Sequence, residues 1–329
     1  MSLLEKMKKA GSIKSAEVLS ESSYFMARDI IPTDLPILNM AFSGSINGGL
    51  VPGLTILAGQ SKSFKTLLGL YCMKAYMNKY PDSVCLFYDS EFGITPSYLE
   101  QNGIDIDRVI HIPVEHVEQL KFDIVKRLDE VKRGDHVFIM VDSLGNLASK
   151  KEVEDANDEK SVTDMSRAKA IRSFLRIITP HLTMKDLPCI IVNHVYQTME
   201  LYSKTVIPGG TAVTYSANQI FIITKAQEKD GNELAGFEFT INIEKSRFVK
   251  EKSKFKFKVL WDTGIQKYSG LFDIAFKGEF IKEVSKGWYS IGQSDKKLRR
   301  SDIENDTEFL DSLLEDDAFK EYIEKEYKL

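Results

Sequence analysis

The pattern of hydrophobic and polar positions changes near Ile37, and from there short apolar runs alternate with longer amphipathic segments. The apolar runs predict strands at 54–58, 83–88, 137–141, 189–192 and 219–223. The amphipathic segments predict helices at 65–79, 116–133 and about 164–178. Such alternation is typical of a parallel sheet covered by helices. The segments 237–243 and 255–261 alternate apolar and polar residues instead, which predicts an antiparallel hairpin at the sheet edge.

The two ends of the chain follow different patterns. The first residues predict a small helical element and a linker, and 306–329 predict an acidic amphipathic helix or pair of helices. The apolar side of this last segment consists of Phe309, Leu313, Phe319 and Ile323. We therefore expect an N-terminal oligomerisation arm with its linker at 1–35, a core at 36–290, and an acidic C-terminal tail at 291–329.

Composition narrows the class of protein. The chain has 329 residues, of which 43% are hydrophobic and 28% charged, so it is globular and large enough for one large domain with appendages or two small domains. The three cysteines lack metal-ligand spacing, and Cys85 and Cys189 lie in predicted strands, which favours buried thiols in a reducing cytosol. No leader pattern and no apolar run of the roughly 20 residues of a membrane span is found, so we expect a cytoplasmic protein.

The distribution of charge is more informative than its total. A net charge of −4 argues mildly against simple electrostatic binding of DNA. Within 244–258, however, the basic residues outnumber Glu244 and Glu251; they are Lys245, Arg247, Lys250, Lys252, Lys254, Lys256 and Lys258. This stripe either attracts a polyanion or is the solvated side of an edge strand whose Phe255 and Phe257 face inward.

A phosphate-binding loop follows the first predicted strand and opens the first long helix. Its residues are Gly59, Gln60, Ser61, Lys62, Ser63, Phe64, Lys65 and Thr66. Backbone N–H groups of such a loop can surround phosphates, while Lys65 reaches the β- and γ-phosphates and Thr66 holds Mg²⁺. Phe64 stands where the pattern expects glycine, which requires backbone angles that a side chain tolerates and a ring turned away from the nucleotide. The alternative is a Gly/Ser turn with a chance lysine.

Polar residues follow three more predicted strands. Asp142 is placed to act as the acid that holds the metal's water shell, Glu91 to deprotonate an attacking water, and Asn193 and His194 to sense a γ-phosphate. Singly, each has a plainer interpretation: a helix N-cap, a solvated loop carboxylate, and a merely hydrogen-bonded histidine. Together they predict one crevice at the carboxyl edge of a parallel sheet.

These ordered motifs resemble the RecA-type recombinases, and most closely the UvsX recombinases of T-even-like bacteriophages. The similar segments are 84–110, VDSLGNLASKKE, PGGTAVTYSANQIFII and INIEKSRFVKEKSKF, and the resemblance covers about residues 20–290. Phenylalanine in the phosphate loop is itself a feature of the UvsX branch. The resemblance implies an α/β fold with a RecA-like P-loop ATPase core, in which helices flank a mostly parallel sheet that has an antiparallel edge hairpin.

The resemblance also implies roles for individual residues. Glu91 would be the general base and Asp142 the Walker-B acid, and Asn193 or His194 would sense the γ-phosphate. In RecA itself a glutamine follows the asparagine, so His194 departs from that pattern. Further nucleotide contacts are implied for Tyr98, which would stack on adenine, for Thr95 near its amino edge, and for Trp261.

Two segments resemble the family's DNA-binding loops, the first at 149–164 and the second at 195–208. The first is acidic here, so backbone amides and nearby cations would have to attract phosphate. The second offers aromatic and apolar groups that could stack on bases without reading sequence, although a mobile polar loop has the same composition. The candidate DNA-binding residues are Lys150, Lys151, Arg167, Tyr196, Met199, Tyr202, Lys204, Gly209 and Gly210.

The ends of the chain and one basic pair would serve assembly. Lys245 and Arg247 match a pair that, in family filaments, reaches the ATP of the neighbouring subunit, as an arginine finger does. Residues 1–30 would dock on the next core. The acidic C-terminus either shields basic surfaces or simply solubilises the protein.

We therefore expect a DNA-dependent ATPase that uses ATP and Mg²⁺. It would form helical filaments on single-stranded DNA, search homologous double-stranded DNA and exchange strands, with help from single-strand-binding and loader proteins and without a membrane. One alternative is a hexameric helicase with a RecA fold. The other is a nucleotide-binding scaffold without turnover, which Phe64 favours and Glu91 argues against.

Overall fold

The computed structural model describes residues 1–13, 15–25, 29–158, 166–198, 205–230, 233–261, 264–292, 294 and 296–329. The strands are β1 (Gly53–Gly59), β2 (Val84–Asp89), β3 (Val109–Pro113), β4 (Val137–Asp142), β5 (Pro188–His194), β6 (Tyr196–Gln197), β7 (Thr205–Val206), β8 (Gln219–Asp230), β9 (Glu233–Lys245), β10 (Lys254–Leu260), β11 (Gly264–Ile265), β12 (Ile281–Ser285) and β13 (Trp288–Ile291).

The helices are α1 (Leu3–Ala10), α2 (Pro36–Ser43), α3 (Lys65–Lys79), α4 (Pro96–Gln101), α5 (Val117–Glu130), α6 (Lys150–Asn157), α7 (Ser166–Lys185), α8 (Thr211–Ser216), α9 (Leu271–Lys277), α10 (Arg300–Glu304), α11 (Thr307–Glu315) and α12 (Asp317–Tyr327). Among the described residues, no helix is long and apolar enough to cross a membrane.

One large sheet organises the molecule, with the strand order β11-β10-β9-β8-β1-β5-β4-β2-β3 in the described residues. Strands β3, β2, β4, β5, β1 and β8 run parallel, whereas β8, β9, β10 and β11 pair antiparallel. This arrangement confirms the predicted α/β class with an antiparallel edge. The carboxyl ends of β1, β2, β4 and β5 consequently meet at one edge of the sheet, where a ligand crevice is expected.

Several strands differ from the predicted pattern, among them β8 and β3. Strand β8 continues beyond 223 to Asp230 and pairs with β9 along its length. The residues after 223 are mostly polar, so the hydrophobic pattern does not predict this part of the strand. Strand β3 was not predicted; it lies at the sheet edge, where only one of its five residues is buried.

Helix α7 is also longer than predicted. It continues past Pro180 to Lys185 rather than ending near Ile178. Leu182 is fully buried in this last part, so tertiary packing stabilises a turn that proline would otherwise disfavour.

Apolar side chains cover both faces of the sheet. Alternate residues of β1 point to opposite sides, so that Leu57 belongs to one buried cluster and Ile56 to the other. Cys72, Cys85 and Cys189 are free and buried, and burial raises the pKa of the Cys85 thiol to about 12. Phe255 and Phe257 face inward from β10, as the alternating pattern indicates.

The C-terminal segment is helical but is packed rather than free. Leu310, Phe319 and Ile323 are buried in the same cluster as the β10 phenylalanines. Lys328 forms a bridge with Val249, which ties the end of the chain to the turn before β10. The segment expected as an acidic tail is therefore part of the folded body, because its apolar side packs against the core. Helix α1, in contrast, buries none of its residues.

Candidate nucleotide-binding site

A cavity of about 700 Å³ opens at the carboxyl edge of the parallel strands. It brings together residues from several elements, namely Ser61, Lys62, Ser63, Phe64, Lys65, Thr66, Glu91, Tyr98, Asp142, His194, Lys225, Phe237 and Trp261. The predicted phosphate loop, strand-end acids and His194 thus lie around one space. A larger groove of about 1000 Å³ lies away from these groups, beside β10 and the C-terminal helices, and carries none of the predicted nucleotide chemistry.

The phosphate loop connects β1 to the N-terminus of α3. A side chain at Gly59 would place its Cβ 2.6 Å from the carbonyl oxygen of Ile223, so the close approach of β8 requires glycine there. The ammonium of Lys65 donates to the carbonyl of Gln60 at 2.7 Å and to Ser63 Oγ at 3.2 Å. Burial lowers the pKa of Lys65, and the negative charges of Asp142 and Glu91 partly oppose that shift.

Phe64 has backbone angles that are uncommon for a residue with a side chain. With φ 58° and ψ 21° it occupies the left-handed region, which a side chain disfavours by about 1–2 kcal/mol. These angles belong to the small left-handed region, which a residue with a Cβ can enter only at this cost. The ring packs edge-on against Phe239 with centroids 5.0 Å apart, and this contact offsets part of the strain.

Thr66 and Asp142 form a pair with the oxygen chemistry that Mg²⁺ prefers. Thr66 Oγ1 donates to Asp142 Oδ2 at 2.6 Å, while Oδ1 of Asp142 is buried without a hydrogen-bond partner. Burial raises the pKa of Asp142 to about 6, although the Thr66 hydroxyl lowers it. A hydroxyl, a carboxylate and an unpartnered buried oxygen fit a hydrated divalent cation. No cluster of three or more His, Cys, Asp or Glu side chains suited to a metal occurs in the described part of the chain.

Glu91 follows β2 and its carboxylate is held from two neighbouring strands. Oε1 accepts from Ser143 Oγ at 2.5 Å and lies 2.9 Å from Nε2 of His194. An ionised carboxylate can only accept, so this contact is a hydrogen bond when Nε2 carries a proton. Glu91 is partly exposed and faces the cavity, as a group that must reach a water molecule would.

Asn193 and His194 have different surroundings. Asn193 is fully buried, its Nδ2 donates to the carbonyl of Pro208 at 3.0 Å, and its Oδ1 accepts from the N–H of His194. Only His194 lines the cavity. Of the two candidate γ-phosphate sensors, the geometry therefore favours His194, while Asn193 joins the two ends of the 195–208 segment.

The wall around a nucleotide base is only partly as predicted. Tyr98 and Trp261 line the cavity, whereas Thr95 is the N-cap of α4 and accepts from the N–H of Tyr98. Several residues of the cavity wall were missed, among them Phe237 and Lys225. The Phe237 ring lies edge-on to Trp261 and below the Lys225 ammonium, with separations of 5.5 Å and 5.3 Å.

The first predicted DNA segment is described up to residue 158. Lys150 and Lys151 lie exposed at the start of α6, where Lys150 Nζ is 3.5 Å from Glu154. Arg167 is engaged within the chain: its Nε donates to the carbonyl of Leu147 at 2.7 Å and its Nη2 to the carbonyl of Gly145. Its guanidinium therefore anchors α7 with these donors, which makes it a weaker candidate for DNA phosphate than the two lysines.

The second predicted segment begins and ends in a short ladder between β6 and β7. Tyr196 is 54% exposed there. Gly209 and Gly210 follow with φ of 96° and 60°, a left-handed turn that leads into α8. The remaining candidates, Met199, Tyr202 and Lys204, lie outside the described residues.

Lys245 and Arg247 lie outside the cavity of their own chain. The Lys245 ammonium donates at 2.6 Å to the carbonyls of Thr214 and Ala217, at the end of α8. Burial, followed by the charge of Arg247, lowers the pKa of Lys245. Arg247 itself is exposed.

Comparisons with known proteins agree with this architecture. A family model described as the RecA N-terminal domain matches residues 4–266, and one for the C-terminal domain of the bacteriophage T4 recombination and repair protein matches 268–323. These models meet at 266–268, within the segment 36–290 that the sequence predicts as the core.

Individual relatives span most of the chain. It is 48% identical to the recombination and repair protein of Enterobacteria phage T4, over 99% of this chain and 86% of that protein. It is 27% identical to protein RecA of Tropheryma whipplei (strain Twist), over 84% of this chain and 63% of that protein. Protein RecA of Paracoccus denitrificans is also 27% identical, over 74% of this chain and 68% of its own length. The chain therefore belongs to the RecA family, in the branch that includes the T4 recombination and repair protein.

Proposed function

We propose that this protein is a recombinase that hydrolyses ATP and couples the reaction to single-stranded DNA. The observation that supports this most strongly is the 2.9 Å contact between Glu91 and His194. It joins the candidate general base to the residue that directly precedes the 195–208 segment. Nucleotide chemistry and the second candidate DNA-binding segment are thus one hydrogen bond apart.

In the proposed reaction, ATP is the substrate and water the nucleophile. The N–H groups of the phosphate loop and the Lys65 ammonium bind the β- and γ-phosphates. Glu91 accepts a proton from the water that attacks the γ-phosphorus, and the bond to the ADP leaving oxygen breaks. Thr66 and Asp142 would hold Mg²⁺, which supplies positive charge for the phosphate oxygens.

The proposed coupling runs through His194. A γ-phosphate in the cavity competes with Glu91 for the Nε2 proton, so binding and hydrolysis change what His194 contacts. His194 lies two residues before β6 in the chain, and the neighbouring Asn193 donates a hydrogen bond to the carbonyl of Pro208. A change in the bound nucleotide would therefore affect both ends of the 195–208 segment.

We assign DNA contact to the two segments that resemble the family's DNA-binding loops. Exposed Tyr196 would stack on bases, and Lys150 and Lys151 would contact phosphate. Met199, Tyr202, Lys204 and the Gly209–Gly210 turn belong to the same proposed surface. Arg167 would contribute indirectly, through its hydrogen bonds to the backbone carbonyls of Gly145 and Leu147. The strands exchanged would be those of single-stranded DNA and a homologous duplex, and loader and single-strand-binding proteins are expected partners.

Assembly into a helical filament completes the proposal. Arg247 is exposed and, with Lys245, would reach the nucleotide of the neighbouring subunit, where two cations neutralise charge on the γ-phosphate. Helix α1, which buries none of its residues, belongs to the N-terminal arm at 1–35 and would dock on the core of the next subunit. We place the core at 36–290 and the packed C-terminal region at 291–329. ATP would then hold neighbouring subunits together, and its hydrolysis would loosen them.

Replacing Glu91 tests the proposal against the scaffold alternative. Glu91→Gln keeps an acceptor for Ser143 but no longer takes a proton. We expect ATP turnover to fall at least about 100-fold, with ATP binding retained and filaments on single-stranded DNA persisting longer than those of the wild type. Glu100→Gln, on the exposed side of α4, is the matched control and should behave as wild type. Unchanged turnover in Glu91→Gln would refute the assigned chemistry.

A further inference from the structure

The turn that carries Glu91 is organised by a buried aspartate. Asp89 ends β2 with only 3% of its side chain exposed, and a buried carboxylate is costly unless its oxygens are hydrogen-bonded. Its Oδ1 accepts from the N–H groups of Glu91 at 2.9 Å and Phe92 at 2.8 Å. The chain therefore folds back in a turn of the kind that aspartate side chains stabilise, with Phe92 at φ 53°. Asp89 thus sets the direction in which Glu91 leaves the strand.

The other oxygen of Asp89 contacts a histidine outside the cavity. Oδ2 lies 3.1 Å from Nε2 of His111, which sits on β3 directly beside Phe87. The imidazole also meets the rings of Phe87 and Phe92, at centroid distances of 5.8 Å and 6.4 Å. His111 therefore contacts the residues on both sides of Glu91 in the turn. Ser143 and His194 hold the Glu91 carboxylate itself from neighbouring strands.

We propose that His111 is a positioning residue for Glu91, acting through Asp89 and Phe92. This inference rests on the proposed function, in which Glu91 is the general base. A base must lie within about 2.6–3.2 Å of the proton it takes, and a displacement of about 1 Å can cost two orders of magnitude in rate. Because His111 does not line the cavity, its loss should slow the chemical step and leave nucleotide affinity unchanged.

Two substitutions at His111 and one matched control test this role. His111→Leu removes the hydrogen bond and should lower kcat for ATP hydrolysis about tenfold, with KM for ATP within about twofold of wild type. His111→Gln places an N–H donor near the position of Nε2 and should recover most of the rate. The control is His136→Leu, because His136 forms a similar pair with Asp82, at 2.9 Å, beyond the opposite ends of the strands. It should turn over ATP as wild type does.

Amide hydrogen exchange of the 89–95 segment, measured without nucleotide, is the second readout. Exchange should be faster in His111→Leu than in wild type and return toward wild type in His111→Gln. Unchanged exchange in His111→Leu would overturn the inference. So would a Gln variant as impaired as Leu, an equal loss of rate in His136→Leu, or a raised KM with intact kcat. If the wild type itself hydrolyses no ATP, the proposed function fails, and the exchange result alone decides whether His111 organises the turn.

Discussion

At the scale of single residues, the surroundings of Asp142 bear most directly on the proposed Mg²⁺ site. One of its oxygens accepts from Thr66 and the other is buried without a partner. Burial raises the pKa of its carboxyl to about 6. In the absence of a cation, ionisation of this group therefore works against folding.

Asp142→Asn should consequently stabilise the metal-free protein at neutral pH. The folded-state pKa lies above the ordinary value of 3.8, so wild type loses stability as pH rises from about 4 to about 6 and the buried carboxyl ionises. The variant lacks this loss and should be more stable by about 2–3 kcal/mol at pH 7, with the difference vanishing near pH 4. Urea unfolding in the presence of a chelator measures it. A constant difference between the two proteins from pH 4 to pH 7 would contradict the assigned burial cost.

Phe64 gives a second residue-scale prediction, which concerns whether glycine or alanine is the less destabilising replacement. Both Phe64→Ala and Phe64→Gly lose the contact with Phe239, but only glycine relieves the left-handed backbone. Glycine should therefore be less destabilising than alanine by about 1 kcal/mol, after its own entropic cost. At exposed Phe122, within α5, the order should be reversed because glycine disfavours a helix interior. Denaturant unfolding measures the stability of the four variants. If alanine is the less destabilising replacement at both positions, the backbone strain at Phe64 is refuted.

At the scale of elements, the sequence predicts the parallel part of the sheet better than the antiparallel part. Lys65, Glu91 and Asp142 could be placed together because each follows an apolar run, and the carboxyl ends of parallel strands meet at one edge. Lys225 could not, since it lies in the polar stretch of β8, which looks like a loop. Phe237 begins a predicted strand, but the pairing of that strand with β8 was not predicted. Their side chains reach the cavity only through strand pairing between distant segments.

Asn193 carries the element-scale prediction, because its side chain ties the end of β5 to Pro208. Asn193→Ala should loosen the 195–208 segment and abolish most stimulation of ATP turnover by single-stranded DNA, while turnover without DNA persists. Limited proteolysis within the segment and ATP hydrolysis with and without DNA measure the two effects. Asn242→Ala, which removes a similar side-chain bond to the carbonyl of Ile222 on the antiparallel strands, is the control. Equal DNA stimulation in Asn193→Ala and wild type would show that the tie is not needed.

At the scale of the whole molecule, the two cations assigned to the neighbouring subunit's nucleotide do not line the cavity of their own chain, where the described residues place Lys62, Lys65 and Lys225 instead. Arg247 and Lys245 lie elsewhere, with Lys245 bound to the end of α8 and Arg247 exposed. The C-terminal helices show a related limit of sequence reasoning. Their apolar side predicts that one face is buried, but periodicity does not say against what, and the structure places it on the core beside β10.

Mixed filaments test whether the basic pair acts on a neighbour. Arg247→Ala should bind ATP but hydrolyse it slowly on single-stranded DNA, as should Glu91→Gln. A mixture of the two inactive proteins contains interfaces at which one subunit supplies Glu91 and the next supplies Arg247, so part of the activity should return. Lys252→Ala, a nearby exposed cation, should keep wild-type turnover. If the mixture remains as inactive as its components, the pair does not act between subunits.

The central claim is that the nucleotide cavity and the 195–208 segment work as one unit, and steady-state ATP hydrolysis with and without single-stranded DNA tests it most directly. At low salt we predict strong stimulation by single strands, which fades at moderate salt because phosphate contacts are weakened by competing ions. ATP turnover that is the same with and without DNA at both salt concentrations would contradict the account, because the contact between Glu91 and His194 would then transmit nothing.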